Sequence, residues 1–171
     1  MNKQELQNRQ KPLKQKYTED AEAAVVTLFA EGKLAEGISC KVDTGKALFD
    51  AGLHPASGGD GSQVCSGDML LEALAACAGV TMKAVATSLD INIREGVIKT
   101  EGDLDFRGTL GVDKQAPVGF RQIRMTAELD TDADSSQLDS LMKLTERFCV
   151  VYQTLNNGVE MKTDYRLTRT T

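Results

Sequence analysis

The sequence predicts an α+β domain in which antiparallel sheet packs around two central helices. Three observations predict it. Apolar and polar residues alternate in several short runs, as in half-buried antiparallel strands. Two other segments, residues 70–86 and 138–149, carry apolar residues at helical spacing. Strands and helices do not alternate one for one, as a parallel sheet with crossover helices requires.

Residues 1–20 are polar, with Leu6, Leu13 and Tyr17 as their apolar anchors, and read as an N-terminal arm or frayed helix. Residues 21–171 read as a single domain, a length that one core accommodates. "EAAVVTLFA" from Glu22 is strand-prone, "EGK" offers a turn, and "GISCKV" and "KALFDA" continue as short strands, together a three-stranded meander. "HPASGGDGSQVCSGD" then gathers loop-forming residues, with Ser66 or Asp68 placed to cap a helix that ends near Ser88.

Leu104 and Phe106 alternate with Asp103 and Asp105, and Ile123, Met125, Ala127 and Leu129 alternate with Arg124, Thr126 and Glu128. Both read as strands with one wet face. After "DTDADSS", a second helix follows from Leu138, Leu141, Met142, Thr145, Phe148 and Cys149, and "NNG" ends it. Val159, Met161, Tyr165 and Leu167 then alternate as a last strand. The helix over 70–86 is apolar around most of its girth, so one small sheet leaves it half covered. A second sheet is expected, from this chain or from a partner subunit.

The formal net charge of −5 opposes non-specific attraction to nucleic acid or anionic lipid. Residues 1–20 lack the apolar core of a secretion signal, and the uncharged apolar run at 73–82 is shorter than the roughly 20 residues of a bilayer span. The expected address is the cytoplasm, with no membrane or nucleic-acid partner. In a reducing compartment Cys40, Cys65, Cys77 and Cys149 are expected as free thiols, and a disulfide among them is chemistry rather than scaffolding.

Few motifs carry chemistry. His54 is the single histidine and no Cys-x-x-Cys pair occurs, so no metal site or cofactor is expected. "SGGDGS" lacks the lysine of a nucleotide loop and reads as turn geometry. No Gly-x-Ser-x-Gly elbow accompanies His54, which reads as an ordinary loop residue. Cys77 shares a helix face with Leu70, Ala73, Leu74, Val80, Thr81 and Ala84, a setting that suits either a small core hydrophobe or a buried reagent. A reactive thiol there needs a positive charge or a helix terminus supplied from elsewhere. Cys149 lies on the buried stripe of the other helix, so the two thiols meet if the helices pack.

"GDMLLEALAACAGVTMKA" followed by "LTERFCVVYQTLNNG" resembles the OsmC/Ohr family of thiol-dependent peroxide reductases, osmotically inducible protein C and organic hydroperoxide resistance protein. The resemblance runs from about residue 49 to 167. It implies an intertwined homodimer in which antiparallel sheets enclose the central helices. It also implies a peroxidatic Cys77 that becomes a sulfenic acid and a resolving Cys149 that forms a disulfide with it, with a dithiol reductant restoring both. Leu70, Leu74 and Val80 then suit the alkyl tail of an organic hydroperoxide substrate.

Members of that family activate the cysteine with an arginine from the N-terminal sheet region and a carboxylate near the helix start. Here no arginine lies between Arg9 and Arg94, and Gly67, beside Asp68, holds the carboxylate's place, with Ser66 where a proline is usual. Asp68 and Arg147 are the substitutes within the site, with Lys46 a further cation. The other reading is a dimer of the same fold, weak or inactive as a catalyst, that binds an apolar small molecule with both thiols as packing.

Overall fold

The computed structural model describes residues 3–35, 39–42, 51–61, 64–165 and 167. The polar N-terminal segment is mostly a helix, α1 (Lys3–Glu19), and it is docked. Tyr17 is buried beside Ala24, Phe106 and Leu110, and its hydroxyl donates to the Ala56 carbonyl at 2.9 Å.

Strand β1 (Val25–Ala35) runs straight through Glu31, Gly32 and Lys33, where the sequence suggested a turn. Both of its edges are paired there: Gly32 faces Val42 on β2 (Ser39–Val42) and Ile98 on β5 (Ile93–Asp105). Two ladders outweigh one local turn preference. With β6 (Phe120–Thr131) these strands form an antiparallel sheet of order β2-β1-β5-β6. Of the expected strand "KALFDA", only Ala51 lies among the described residues; it belongs to β3 (Ala51–Gly52), which pairs in parallel with β4 (Val64–Cys65).

Residues 53–61 hold a tight turn rather than a phosphate cradle. Gly58 has φ +97°, and a Cβ on Gly59 would lie 1.7 Å from the Leu53 carbonyl oxygen, so neither position accepts a larger residue unstrained. His54 is fixed in this turn: its Nδ1 accepts from the Ala56 amide at 3.0 Å and its ring stacks on Phe106 at 5.0 Å.

Helix α2 (Ser66–Ser88) begins one residue earlier than the caps expected from sequence. Cys65 is its N-cap, with Sγ accepting from the Gly67 amide at 3.4 Å, so Ser66 and Asp68 fall inside the first turn. A carboxylate is favourable there against the helix dipole. Leu71, Ala75, Ala78, Met82 and Val85 are buried, and α2 packs against β1, β2 and β5. Full burial of a leucine or methionine side chain contributes about 2 kcal/mol. By length and apolarity alone α2 would cross a bilayer, but half of its most apolar window is buried inside the fold.

The other side of α2 is less covered than the sequence suggested. Leu70 is 37% and Val80 39% exposed, and among the described residues no second large sheet covers them.

Past β5 the chain turns through α3 (Phe106–Thr109), so Phe106 leaves the strand that its alternation suggested. Asp105, 1% exposed, causes the turn: its carboxylate accepts the Arg107 amide at 3.1 Å and pairs with the Arg107 guanidinium at 2.6 Å. After β6, a capping box of Asp134 and Gln137 starts α4 (Ser135–Phe148). The expected single helix through residue 157 breaks at Cys149 and resumes as α5 (Val150–Asn157). Gly158 ends it at φ +66°. The anticipated last strand does not form: 159–165 has no ladder partner among the described residues, and Val159, Met161 and Tyr165 are exposed.

Candidate active site

α2 packs against both α4 and α5, and the contact brings together the cysteine of each segment. Cys149 sits between α4 and α5 with φ −71° and ψ 109°, an extended conformation that interrupts the helical ladder. Its own amide still reaches the Thr145 carbonyl at 2.9 Å, which ends α4. The break strands carbonyls on one side and amides on the other. Gln153 Nε2 donates to the Glu146 carbonyl at 2.9 Å, and Cys149 Sγ accepts from the Tyr152 amide at 3.4 Å.

Cys77 is half-buried and packs, with Val151, against the apolar cluster that holds Cys149. Burial raises the Cys77 thiol, yet hydrogen bonds from the Val151 amide, the Cys149 thiol, the Val150 amide and the Thr81 hydroxyl outweigh it. The thiol is held below its ordinary value. Cys149 is the reverse: burial, with the adjacent Cys77 sulfur adding to it, pushes it up to about 11. The pair therefore holds one sulfur below its ordinary value and one pushed above it. Both are free thiols.

A cleft of about 450 Å3 is bounded by α2, β6 and α5; neither cysteine lines it, and Leu74 and Tyr152, three residues from Cys77 and Cys149, are the lining residues nearest to them in the chain. Leu70, Leu74, Ile123, Met125 and Leu155 give it apolar walls, and Arg121, Tyr152 and Asn156 give it polar points. A smaller cleft of about 370 Å3, holding His54 and Cys65, shares Leu70, Gly119 and Phe120 with it.

Of the residues singled out from sequence, Cys77 and Cys149 come together in one apolar cluster, and Leu70 and Leu74 line the larger cleft. Val80 lies outside it, on the exposed side of α2. Asp68 acts on other groups: burial lowers His54, against which the Asp68 charge works, and burial raises Glu72, to which the Asp68 charge adds; Asp68 has no part in the Cys77 shift. Arg147 is exposed and lies over the Phe148 ring at 5.5 Å, not at the sulfur. Lys46 lies outside the described residues. The contributors that sequence reasoning missed are the backbone amides of Val150 and Val151, invisible to any residue-type motif, and the hydroxyl of Thr81, one turn along α2 from Cys77. Among the described residues no His, Cys, Asp and Glu cluster is arranged to hold a metal ion.

The family model for OsmC-like proteins matches residues 59–164. No curated protein matches the chain in sequence. Among solved structures, an OsmC-like hydroperoxide resistance protein from Jannaschia sp. CCS1 superposes with a TM-score of 0.61 at 16% identity, over 86% of this chain and 97% of that one. An OsmC-like protein from Mycoplasma pneumoniae superposes with a TM-score of 0.54 at 16% identity, over 78% of this chain and 86% of that one.

Proposed function

The chain belongs to the OsmC-like protein family, and from that premise we propose that it reduces organic hydroperoxides with the thiol pair Cys77 and Cys149. The observation that carries the reading is the adjacency of two free thiols with opposed ionisation, Cys77 lowered and Cys149 raised to about 11. A two-thiol peroxidase needs that asymmetry: one sulfur to attack and one to wait.

In this reading the Cys77 thiolate attacks one peroxide oxygen and the O–O bond breaks. The alkoxide takes a proton and leaves as alcohol, and Cys77 becomes a sulfenic acid. The Cys149 sulfur then attacks the sulfenic sulfur, forming the Cys77–Cys149 disulfide and releasing water. An external dithiol donates two electrons by successive exchange and restores both thiols. Leu70 and Leu74 seat the alkyl tail, because an apolar tail leaves water for the cleft at roughly 25 cal/mol per Å2 buried. Cys149 needs no low pKa for its step, since its proton passes to the departing hydroxide.

A second copy of the chain is the partner we assign to the exposed side of α2. Leu70 and Val80 leave apolar surface in water there. A homodimer covers it and supplies the second wall that the helix lacks.

A Cys77→Ser variant with unchanged unfolding temperature and no peroxide turnover is the expected result. Equal turnover in variant and wild type sinks the proposal. The volume of the cleft favours one other reading, an apolar-ligand carrier with passive thiols. In that case a fluorescent apolar probe binds wild type and Cys77→Ser alike and no turnover is seen in either.

A further inference from the structure

We propose that the cleft between α2, β6 and α5 binds a straight-chain alkyl carboxylate, with the Arg121 guanidinium on the carboxylate and the apolar walls around the chain. The inference goes beyond the thiol chemistry: it names what the cleft holds, and it stands or falls without peroxide turnover.

The charge in the cleft runs against that of the chain. The chain carries a formal net charge of −5, with 25 acidic residues against 20 basic ones. Yet among the described residues the cleft is lined by one charged side chain, and that is a cation, Arg121. An anion entering there meets no carboxylate in the walls. A guanidinium is the side chain that matches a carboxylate best, because its planar fork donates to both oxygens. One cation balances one carboxylate, whereas a phosphate group carries nearly two charges.

Arg121 is kept out of the ion pairs that occupy its neighbours. On the same strand, Arg124 is held by Asp103 at 2.6 Å and by Glu101 at 3.2 Å. Arg94 and Arg107 are likewise each held by two carboxylates. Arg121 has no ion pair among the described residues. The backbone gives the reason. Asp103 on β5 faces Gln122 and Leu104 faces Phe120, so Arg121 is the extra residue of a bulge in β6. A bulge leaves that residue out of the ladder and re-aims its side chain. Here it sets Arg121, which is exposed, at the mouth of the cleft.

Behind the guanidinium the walls are apolar. Leu74 is buried, and Ile123, Met125 and Leu155 are half-buried. An alkyl chain leaves water for such walls at roughly 25 cal/mol per Å2 buried. The volume, about 450 Å3, lies in the range of small-molecule sites. Tyr152 and Asn156 stand one turn apart on α5 and both line the cleft. Their hydroxyl and side-chain amide are further donors for a carboxylate.

The experiment is calorimetric titration of the full-length protein with decanoate and with decanol, which has the same chain and no charge. The variants are Arg121→Gln, Arg121→Lys, Arg124→Gln and Leu155→Ala. Wild type is expected to bind decanoate about tenfold more tightly than decanol. Arg121→Gln is expected to erase that difference and leave decanol binding as it is; Arg121→Lys, which keeps the charge without the fork, restores part of it. Leu155→Ala weakens both probes, and Arg124→Gln changes neither. A wild type that binds neither probe, or both equally, overturns the inference. So does a preference for decanoate that survives in Arg121→Gln or disappears equally in Arg124→Gln. If Arg121→Gln does not fold, salt decides: the preference is expected to shrink as ionic strength rises, and one that salt leaves unchanged overturns the inference. Decanoate affinity that falls as the protein self-associates means that a second copy fills the cleft, which overturns it too. The probes hold no O–O bond. Decanoate binding in a protein that no hydroperoxide oxidises supports the inference while it refutes the peroxidase reading.

Discussion

Cys149 and Cys77 act on each other across the α2–α5 contact: Cys149 helps to lower Cys77, and Cys77 adds to the burial that pushes Cys149 up to about 11. The attacking sulfur and its resolving partner are therefore poised against each other before any substrate arrives. Replacing Cys149 with serine removes the resolving sulfur but keeps a donor. Cys149→Ser is expected to consume a single equivalent of hydroperoxide and stop with Cys77 as a sulfenic acid, which a dimedone adduct on the Cys77 peptide reports. Continued turnover in this variant contradicts the assignment of Cys149.

Asp105 holds the turn that leads from β5 to the rim of both clefts. The Arg107 guanidinium holds its carboxyl below the usual carboxylate range. A depressed carboxylate contributes stability that is present above its unfolded pKa, about 4, and lost as pH falls through the folded value. Asp105→Asn is expected to cost about 2 kcal/mol at pH 7, because it leaves Arg107 short of a charged partner. The gap between wild type and variant in urea unfolding narrows below about pH 4. A gap that stays constant from pH 7 to pH 3 removes this ion pair from the account.

Gly102 keeps the Phe120 ring in place between the two clefts. A Cβ at residue 102 would lie 2.5 Å from Phe120 Cε1 and 3.3 Å from Leu71 Cδ2. Gly102→Ala is expected to destabilise by about 1–3 kcal/mol as the ring is pushed aside, and to change the affinity for an apolar probe. Wild-type stability and probe binding would mean that Phe120 moves freely.

The N-terminal helix is structural rather than a loose tether. Tyr17 is 3% exposed, and its loss uncovers Phe106 and Leu110. Deletion of residues 1–20 is expected to lower the unfolding temperature by several degrees, and Tyr17→Phe, which loses only the bond to Ala56, to cost about 1 kcal/mol. Equal melting curves for the deletion and the full chain contradict the docked helix.

The α+β class and both core helices were legible because their periodicities extend over many residues. So was the meeting of Cys77 and Cys149, since each lay on an apolar stripe and such stripes pack together. What stayed hidden depended on partners far away in sequence. The "EGK" turn lost to two ladders that hold Gly32 on both sides. The alternation at Val159, Met161 and Tyr165 promised a strand, but the chain gives it no ladder among the described residues. The break at Cys149 had no glycine or proline to announce it, and with it went any view of the Val150 and Val151 amides. Arg147 looked suitable by its place in sequence, yet its side chain goes to Phe148.

The most direct test of the central claim is the mass of the reduced protein, intact and as peptides, after one equivalent of an organic hydroperoxide. The account predicts rapid loss of two hydrogens and a single new disulfide joining the Cys77 and Cys149 peptides. Unmodified thiols, or oxidation confined to Cys40 or Cys65, would contradict it.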